Sequence, residues 1–201
     1  DANWDAAADV GRTLTVAKAT PVLTWAAPAP VAYGTALDGT HLNATSDVPG
    51  TFIYDPSPGT VPDAGTHTLS TTFTPDDAAN YETATATVQL EVGSANQTID
   101  FPALPAKTYG DGPFAAGASA SSGLAVSYSS SDASVATVSG GAITITGAGT
   151  ADITAQQGGD ANWDAAADVT RTLTVAKATP VLTWADPAPV AYGTSLDGTH
   201  L

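Results

Sequence analysis

Thr83-Ala84-Thr85-Ala86-Thr87-Val88-Gln89-Leu90-Glu91-Val92 decides the fold class. Ala84, Ala86, Val88, Leu90 and Val92 alternate with Thr83, Thr85, Thr87, Gln89 and Glu91. Successive side chains of a strand point to opposite faces, so this run is one strand with an inside and an outside. The same alternation recurs outward along the chain. In 66–73, Leu69 and Phe73 share a face with His67 and Thr71, opposite Thr66, Thr68, Ser70 and Thr72. Leu124, Val126 and Tyr128 alternate with Ala125 and Ser127, Ile143 and Ile145 with Thr144 and Thr146, and Ala151, Ile153 and Ala155 with Asp152 and Thr154. Val169–Val175 reads as a further strand. Pro49-Gly50, Pro58-Gly59, Ala64-Gly65, Gly140-Gly141 and Gly147-Ala148-Gly149 break the chain between these segments. The Ala-rich pieces 6–8 and 165–167 are too short for a stable helix. Short strands at regular spacing predict antiparallel β-sandwiches.

The strands belong to a repeat. Asp1-Ala2-Asn3-Trp4-Asp5 returns as Asp160-Ala161-Asn162-Trp163-Asp164, a period of 159 residues. Residues 160–201 copy 1–42 except for Gly11→Thr170, Ala27→Asp186 and Ala36→Ser195, so 39 of 42 positions are identical. A weaker repeat lies inside the period: Trp25, Tyr33 and Gly34 align with Phe101, Tyr109 and Gly110 at an offset of 76, and Asn80-Tyr81 resembles Asn162-Trp163. The expected domains are an A-type unit over 18–94 and a B-type unit over 95–177. Residues 1–17 are expected to be the C-terminal strand of a preceding B-type unit, and 178–201 the N-terminal part of a following A-type unit. The chain reads as a window on a longer tandem array. The terminal pieces are expected to adopt the strands of their copies, ordered by contact with a neighbouring domain or another chain, since alone they would expose sheet edges.

The 201 residues include 20 Asp or Glu against 5 Lys or Arg, a formal net charge of -15. Such a surface cannot neutralise a row of phosphates, which argues against nucleic acid and against anionic membranes. No apolar run approaches the ~20 residues that span a bilayer. The absence of Cys excludes disulfides, thiolate zinc sites and cysteine nucleophiles. Trp25, Phe52, Tyr54, Phe73 and Tyr81 in the A unit, and Phe101, Tyr109, Phe114, Tyr128 and Trp163 in the B unit, supply aromatic anchors for two small cores.

The A unit, with Ala19-Thr20-Pro21, Thr24-Trp25, Tyr33-Gly34, Pro49-Gly50-Thr51-Phe52 and Asn80-Tyr81, resembles the tandem bacterial Ig-like repeats of very large secreted and surface proteins. The B unit, with Gln97-Thr98-Ile99, Phe101, Tyr109-Gly110, Val135-Ala136-Thr137-Val138 and Gly147-Ala148-Gly149-Thr150-Ala151, resembles a second bacterial Ig-like type that often alternates with the first. The Tyr-Gly and Asn-Tyr marks are similar to those of the related MBG repeats. The resemblance covers essentially the whole chain. It implies all-β, Ig-like sandwiches arranged end to end, acting as extracellular spacers in adhesins and similar fibrous surface proteins, with no catalytic residues to transfer.

Asp160-x-Asn162-x-Asp164, repeated as Asp1-x-Asn3-x-Asp5, matches the opening of a calcium loop, since oxygen ligands at alternate positions suit a hard cation. The match then fails: Ala165 stands where the sharp turn needs Gly, and Arg171 where a bidentate Glu belongs. The other reading is a loop whose Asn and Asp bond nearby backbone while Trp163 packs on the sandwich. Asp76-Asp77 is a second calcium candidate, with an acidic turn as its alternative. Calcium is therefore the one cofactor with any sequence support, and the chain is expected to work without it. His41, its copy His200, and His67 lack a neighbour at ligand spacing. Trp25 and Trp184 can stack on a sugar or fill the start of a core, and the core is expected. Asn43-Ala44-Thr45 and Asn96-Gln97-Thr98 fit the glycan acceptor pattern, expected by chance in a bacterial protein. Lys18, Lys107 and Lys177 are the lysines open to a self-formed Lys–Asn crosslink, and two of them sit at unit junctions.

The expected function is a non-enzymatic extracellular stalk or fibre segment; the alternative is a carbohydrate- or protein-binding module. Partners are expected to be neighbouring repeats, with lateral copies in a fibre, and neither nucleic acid nor membrane. The A unit carries Lys18 against eight acids and the B unit three bases against seven. This shared negative sign keeps adjacent units soluble and mutually repelling.

Overall fold

The computed structural model describes residues 2–3, 5–195 and 198. It divides into two compact units: residues 1–98 with 158–166, and residues 99–157 with 167–201. Every named element among the described residues is a strand.

The first unit contains β1 (Leu23–Thr24), β2 (Val31–Ala32), β3 (Thr45–Ser46), β4 (Gly50–Asp55), β5 (Gly65–Pro75) and β6 (Ala84–Gly93). β1 pairs with β3, and the second sheet runs β2-β6-β5-β4. The β5–β6 register sets Leu69 opposite Val88, Thr71 opposite Ala86 and Phe73 opposite Ala84, so the two inward faces coincide. A one-residue slip of either strand would turn its apolar set to solvent, which is why the alternation fixes this pairing. Leu37, Leu42, Leu69, Leu90 and Val92 form the core, with Trp25, Val31, Tyr33, Tyr54 and Val88 packed against it. An aromatic row continues it, with ring centroids 4.8 Å apart for Phe73–Phe52, 6.0 Å for Phe52–Tyr54 and 5.4 Å for Tyr54–Trp25. Such pairs contribute about 0.5–1.5 kcal/mol each beyond buried area. Thr71 is polar yet buried, and its hydroxyl donates to the Ile53 carbonyl at 3.0 Å.

The second unit contains β7 (Ile99–Asp100), β8 (Lys107–Thr108), β9 (Phe114–Ala115), β10 (Ser119–Ala120), β11 (Ser127–Ser130), β12 (Ala136–Ser139), β13 (Ala142–Ile145), β14 (Gly149–Gln156) and β15 (Val169–Ala176). Its main sheet runs β8-β15-β14-β11, beside β7–β10 and β9-β13-β12. Phe101, Ile143, Ile153 and Leu173 are fully buried. Gly140 and Gly141, with φ of 55° and 80°, form the two-residue turn between β12 and β13, where both central positions of the favoured hairpin turn need positive φ. β11 starts at Ser127, three residues later than the Leu124–Tyr128 alternation predicts. Its β14 partner ends at Gln156, opposite Ser127, and the Leu124 amide is taken instead by the Ser122 hydroxyl at 3.2 Å.

The two main sheets share one plan. Each has an early two-residue strand parallel to the last strand, β2 on β6 and β8 on β15, while the other pairings are antiparallel. Tyr33 N–H donates to Gly93 O at 2.7 Å in one, and Tyr109 N–H to Ala176 O at 2.8 Å in the other. The 76-residue offset between Tyr33 and Tyr109 is thus an offset between equivalent structural positions. Both units are all-β, Ig-like sandwiches.

Residues 5–17 and 177–195 form no strand, although their copies do. Leu14 is 86% exposed and Val16 83%, against 0% and 3% for their copies Leu173 and Val175. Trp184 is 78% exposed, whereas its copy Trp25 lies against the first core. The cause is non-local: β15 is a strand because β14 and β8 flank it, and among the described residues no strand pairs with 10–17. An isolated strand has neither ladder nor core to offset its ordering entropy.

Candidate functional site

The strongest sequence candidate, the Asp160–Asp164 loop, belongs to the first unit. Gly159 starts it with φ of 76°, and a Cβ there would strike the Trp163 carbonyl. Only glycine meets both demands. Asp160 Oδ1 then accepts the N–H groups of Asn162 at 2.8 Å and Trp163 at 2.9 Å, a tight acid-capped turn. The Asn162 amide reaches outward: Oδ1 accepts Ala64 N–H at 2.8 Å, and Nδ2 donates to Asp63 Oδ1 at 3.1 Å. Asp164 Oδ1 accepts the Ser94 hydroxyl at 2.5 Å, and Asp164 O accepts Gln97 Nε2 at 2.7 Å. A parallel bridge joins Trp163 to Ala95, with Ala95 N–H donating to Asn162 O and Asp164 N–H to Ala95 O, both at 2.9 Å. The Trp163 ring meets the edge of Tyr33, centroids 5.6 Å apart.

Asp160, Asn162 and Asp164 are therefore brought into one loop but direct their oxygens to separate protein donors. Among the described residues no group of three or more His, Asp or Glu is placed to hold a metal ion. Asp1, which opens the second copy of the pattern, lies outside the described residues.

The Asp76-Asp77 candidate is the same device at the other end of the first unit. Asp77 accepts the Asn80 side-chain amide at 2.9 Å and the Asn80 N–H at 3.2 Å. The Asn80 side-chain bond, chiefly, holds the Asp77 carboxyl below the usual carboxylate range. Ala19 N–H donates to Asn80 O at 2.8 Å, Glu82 N–H to Ala19 O at 2.9 Å, and a parallel bridge joins Ala19 to Tyr81. Ala19 to Ala95 is again the 76-residue offset. Each loop thus presents an acid, an Asn and an aromatic residue, and clasps a segment that precedes a unit's first strand. A cavity of about 230 Å³ lies beside Tyr81, lined also by Val48, Pro49, Pro75, Asp76 and Asp77.

The other candidates are placed as follows. His41 is buried in a turn, Nδ1 2.8 Å from Asp38 Oδ1. Bonds from the Thr40 side chain and backbone, with a smaller contribution from His41, hold Asp38 below the usual carboxylate range. His200 lies outside the described residues. His67 Nε2 donates to the Asp63 carbonyl at 2.6 Å. Trp25 packs on the core and its Nε1 donates to His41 O at 3.1 Å. Asn43 Nδ2 donates to Thr40 O at 3.1 Å. Lys18 Nζ donates to Ala78 O at 2.8 Å, Lys107 Nζ sits 4.7 Å from the centre of the Phe114 ring, and Lys177 is exposed. A second cavity, about 320 Å³, is lined by Val126, Ser127, Tyr128, Val138, Gly140 and Gly141. Its polar side chains are already bonded, Ser127 to Gln156 O and Tyr128 to Ala118.

Sequence reasoning missed Asp63, Ala64 and Gln97, which receive the loop. Asp63 and Ala64 are backbone-turn residues without a pattern of their own. Gln97 is no more legible: its burial and its bond to Asp164 O appear only in the structure.

No family model matches the chain, and no curated protein does. Among solved structures, the insect immune protein hemolin, whose structure is described as a new domain arrangement with implications for homophilic adhesion, is similar over 79% of this chain. The TM-score is 0.40 at 11% identity, and the match spans 47% of hemolin's length.

Proposed function

We propose that the chain is a segment of an extracellular, non-enzymatic spacer in a repetitive bacterial surface protein of the adhesin kind. The observation that carries this reading is repetition at two levels. A 159-residue period returns with 39 of 42 positions unchanged, and the two units within it share a sheet plan and a clasp. A spacer's reach is set by copy number, so near-identical copies serve it, whereas a binding tip needs a distinct surface. The side chains that attracted attention as ligands serve packing and turns: Trp25 fills a core, and Asp77 and Asp160 cap loops. The charge of -15 suits units that must stay soluble and apart.

Small-angle scattering of chains carrying one, two and four periods tests the reading. Strand lengths give a sandwich of roughly 30–40 Å, so the maximum dimension should grow by ~65–85 Å per period. A maximum dimension that levels off while mass doubles would overturn the spacer.

A further inference from the structure

We propose that β4 is a docking edge for a second copy of this chain, the two β4 strands pairing antiparallel about a two-fold axis at Ile53. β4 is the last strand of the sheet β2-β6-β5-β4, and among the described residues no strand pairs with its outer side. The register gives the direction of its backbone groups. Asp76 N–H donates to Pro49 O at 3.1 Å, and Pro49 and Asp76 continue the β4–β5 register by one residue. Hydrogen-bonded pairs alternate along an antiparallel ladder, so Thr51, Ile53 and Asp55 turn their N–H and C=O groups to β5. The Thr71 and Ser70 hydroxyls, both on β5, accordingly reach Ile53 O at 3.0 Å and Asp55 O at 3.2 Å. Phe52 and Tyr54 turn their N–H and C=O groups to the free edge. Pro75, which has no N–H to give, stands opposite Gly50 in this second set.

This edge is matched to itself. Natural sheets blunt an edge with lysine, a bulge or an inward charge. β4 carries no lysine, and Ile53 at its middle is 70% exposed. Among the described residues it is the only exposed large apolar side chain that lies in a named strand. With the axis at Ile53, the N–H and C=O of Phe52 meet those of Tyr54 in the second copy, and Tyr54 meets Phe52 in turn, so four main-chain bonds close. Ile53 faces Ile53 of the second copy and Thr51 faces Asp55, as non-hydrogen-bonded pairs whose side chains approach most closely. Each Thr51 hydroxyl then donates to an Asp55 carboxylate. An axis at Phe52 would set Gly50 against Tyr54 and leave both Asp55 side chains unmatched. A slip of one residue would set outward side chains against inward ones. β11, an edge of the second unit's main sheet, has four residues with Ser127 and Ser129 outward, and no apolar centre. The β4 contact is isologous and closes at two copies. So short an edge buries well under the ~1,200 Å² of a stable complex, which makes the pairing weak and reversible. The inference does not depend on the spacer reading.

The test is sedimentation equilibrium of the full chain up to about 1 mM, with single-cysteine crosslinking to read the register. The expected result is a reversible monomer–dimer equilibrium. Ile53→Glu, which sets like charges at the axis beside Asp55, should stay monomeric with an unchanged unfolding midpoint, and mixing it with Ile53→Lys should restore a dimer. The chain has no Cys, so an introduced cysteine reports only contact between copies. Facing positions in non-hydrogen-bonded pairs lie about 4.5 Å apart at Cα, within disulfide reach. In a glutathione redox buffer, Ile53→Cys should form disulfide dimer at least about tenfold more than Thr87→Cys, on the outward face of β6. Thr51→Cys mixed with Asp55→Cys should crosslink equally well, and Thr51→Cys mixed with Ile53→Cys should not. Monomer alone at the highest concentration overturns the proposal, as does a dimer that survives Ile53→Glu or one in which position 51 crosslinks to 53 rather than to 55.

Discussion

One side chain, Asn162, holds the Ala64 N–H and the Asp63 carboxylate together, through its Oδ1 at 2.8 Å and its Nδ2 at 3.1 Å. An aspartate at 162 would keep the acceptor, lose the donor, and set a second carboxylate against Asp63. Asn162→Asp is expected to destabilise the first unit by about 1–2 kcal/mol, because a charge-assisted bond is lost and two carboxylates are left side by side. Asp63→Asn in the same chain should restore most of it, because the repulsion then disappears. Urea titration of the two single variants and the double variant measures the coupling; additive effects would contradict the pairing of Asn162 with Asp63.

The same loop bears on metal. Asp160, Asn162 and Asp164 already accept protein N–H or O–H groups, so a cation would have to displace those bonds. Added calcium or a chelator is expected to leave the thermal midpoint essentially unchanged. A fall of more than a few degrees on chelation would make the loop a calcium site.

Three exposed aspartates set a pH dependence. Asp132 is held below the usual carboxylate range chiefly by the Ser134 hydroxyl and then the Ser134 N–H, Asp77 chiefly by Asn80, and Asp38 chiefly by Thr40. A depressed folded-state pKa means stabilisation that is full above the unfolded-state value and lost as pH falls through the lower folded value. The loss therefore falls on the acid side, below the ordinary aspartate range. The triple variant Asp38→Asn/Asp77→Asn/Asp132→Asn should lose less of its thermal midpoint between neutral pH and strong acid than the parent. Parallel acid limbs in the two chains would refute the assignment.

Glycines separate turn strain from packing. Gly159 combines φ of 76° with a backbone oxygen in the way of a Cβ, whereas Gly158 has open space. Gly159→Ala should cost more than the ~1 kcal/mol of the backbone conformation alone, and Gly158→Ala should be nearly neutral. Equal unfolding midpoints for the two variants would show that the loop relaxes freely.

Strand positions and faces were legible where one sheet face is buried. The alternation at 66–73 and 83–92 matches β5 and β6, and Leu69, Thr71, Phe73, Leu90 and Val92 are the buried positions. Two-residue strands such as β1, β2, β7 and β8 left no such trace, because two residues show no period and their pairing depends on partners up to 68 residues away, as for Lys107 and Val175. The clasp loops were legible as Asx turns at Asp77 and Asp160, but not as clasps, since Ala19 and Ala95 contribute only backbone. At 10–17 a near-perfect copy of β15 forms no strand, because it lacks the ladder that β14 and β8 give the other copy.

That contrast gives a prediction in which sequence context is held constant. Leu14 and Leu173 share the neighbours Arg-Thr-Leu-Thr-Val-Ala, so local propensity cannot distinguish them. Leu173 is fully buried on β15, opposite Ala151 of β14, while Leu14 is 86% exposed. Leu173→Ala removes buried methyl groups and leaves a cavity, an expected loss of about 2–5 kcal/mol. Leu14→Ala removes surface already in water and should change stability by less than ~0.5 kcal/mol. Urea unfolding of the two variants compares them. Equal losses would mean that the difference between the copies is not one of burial.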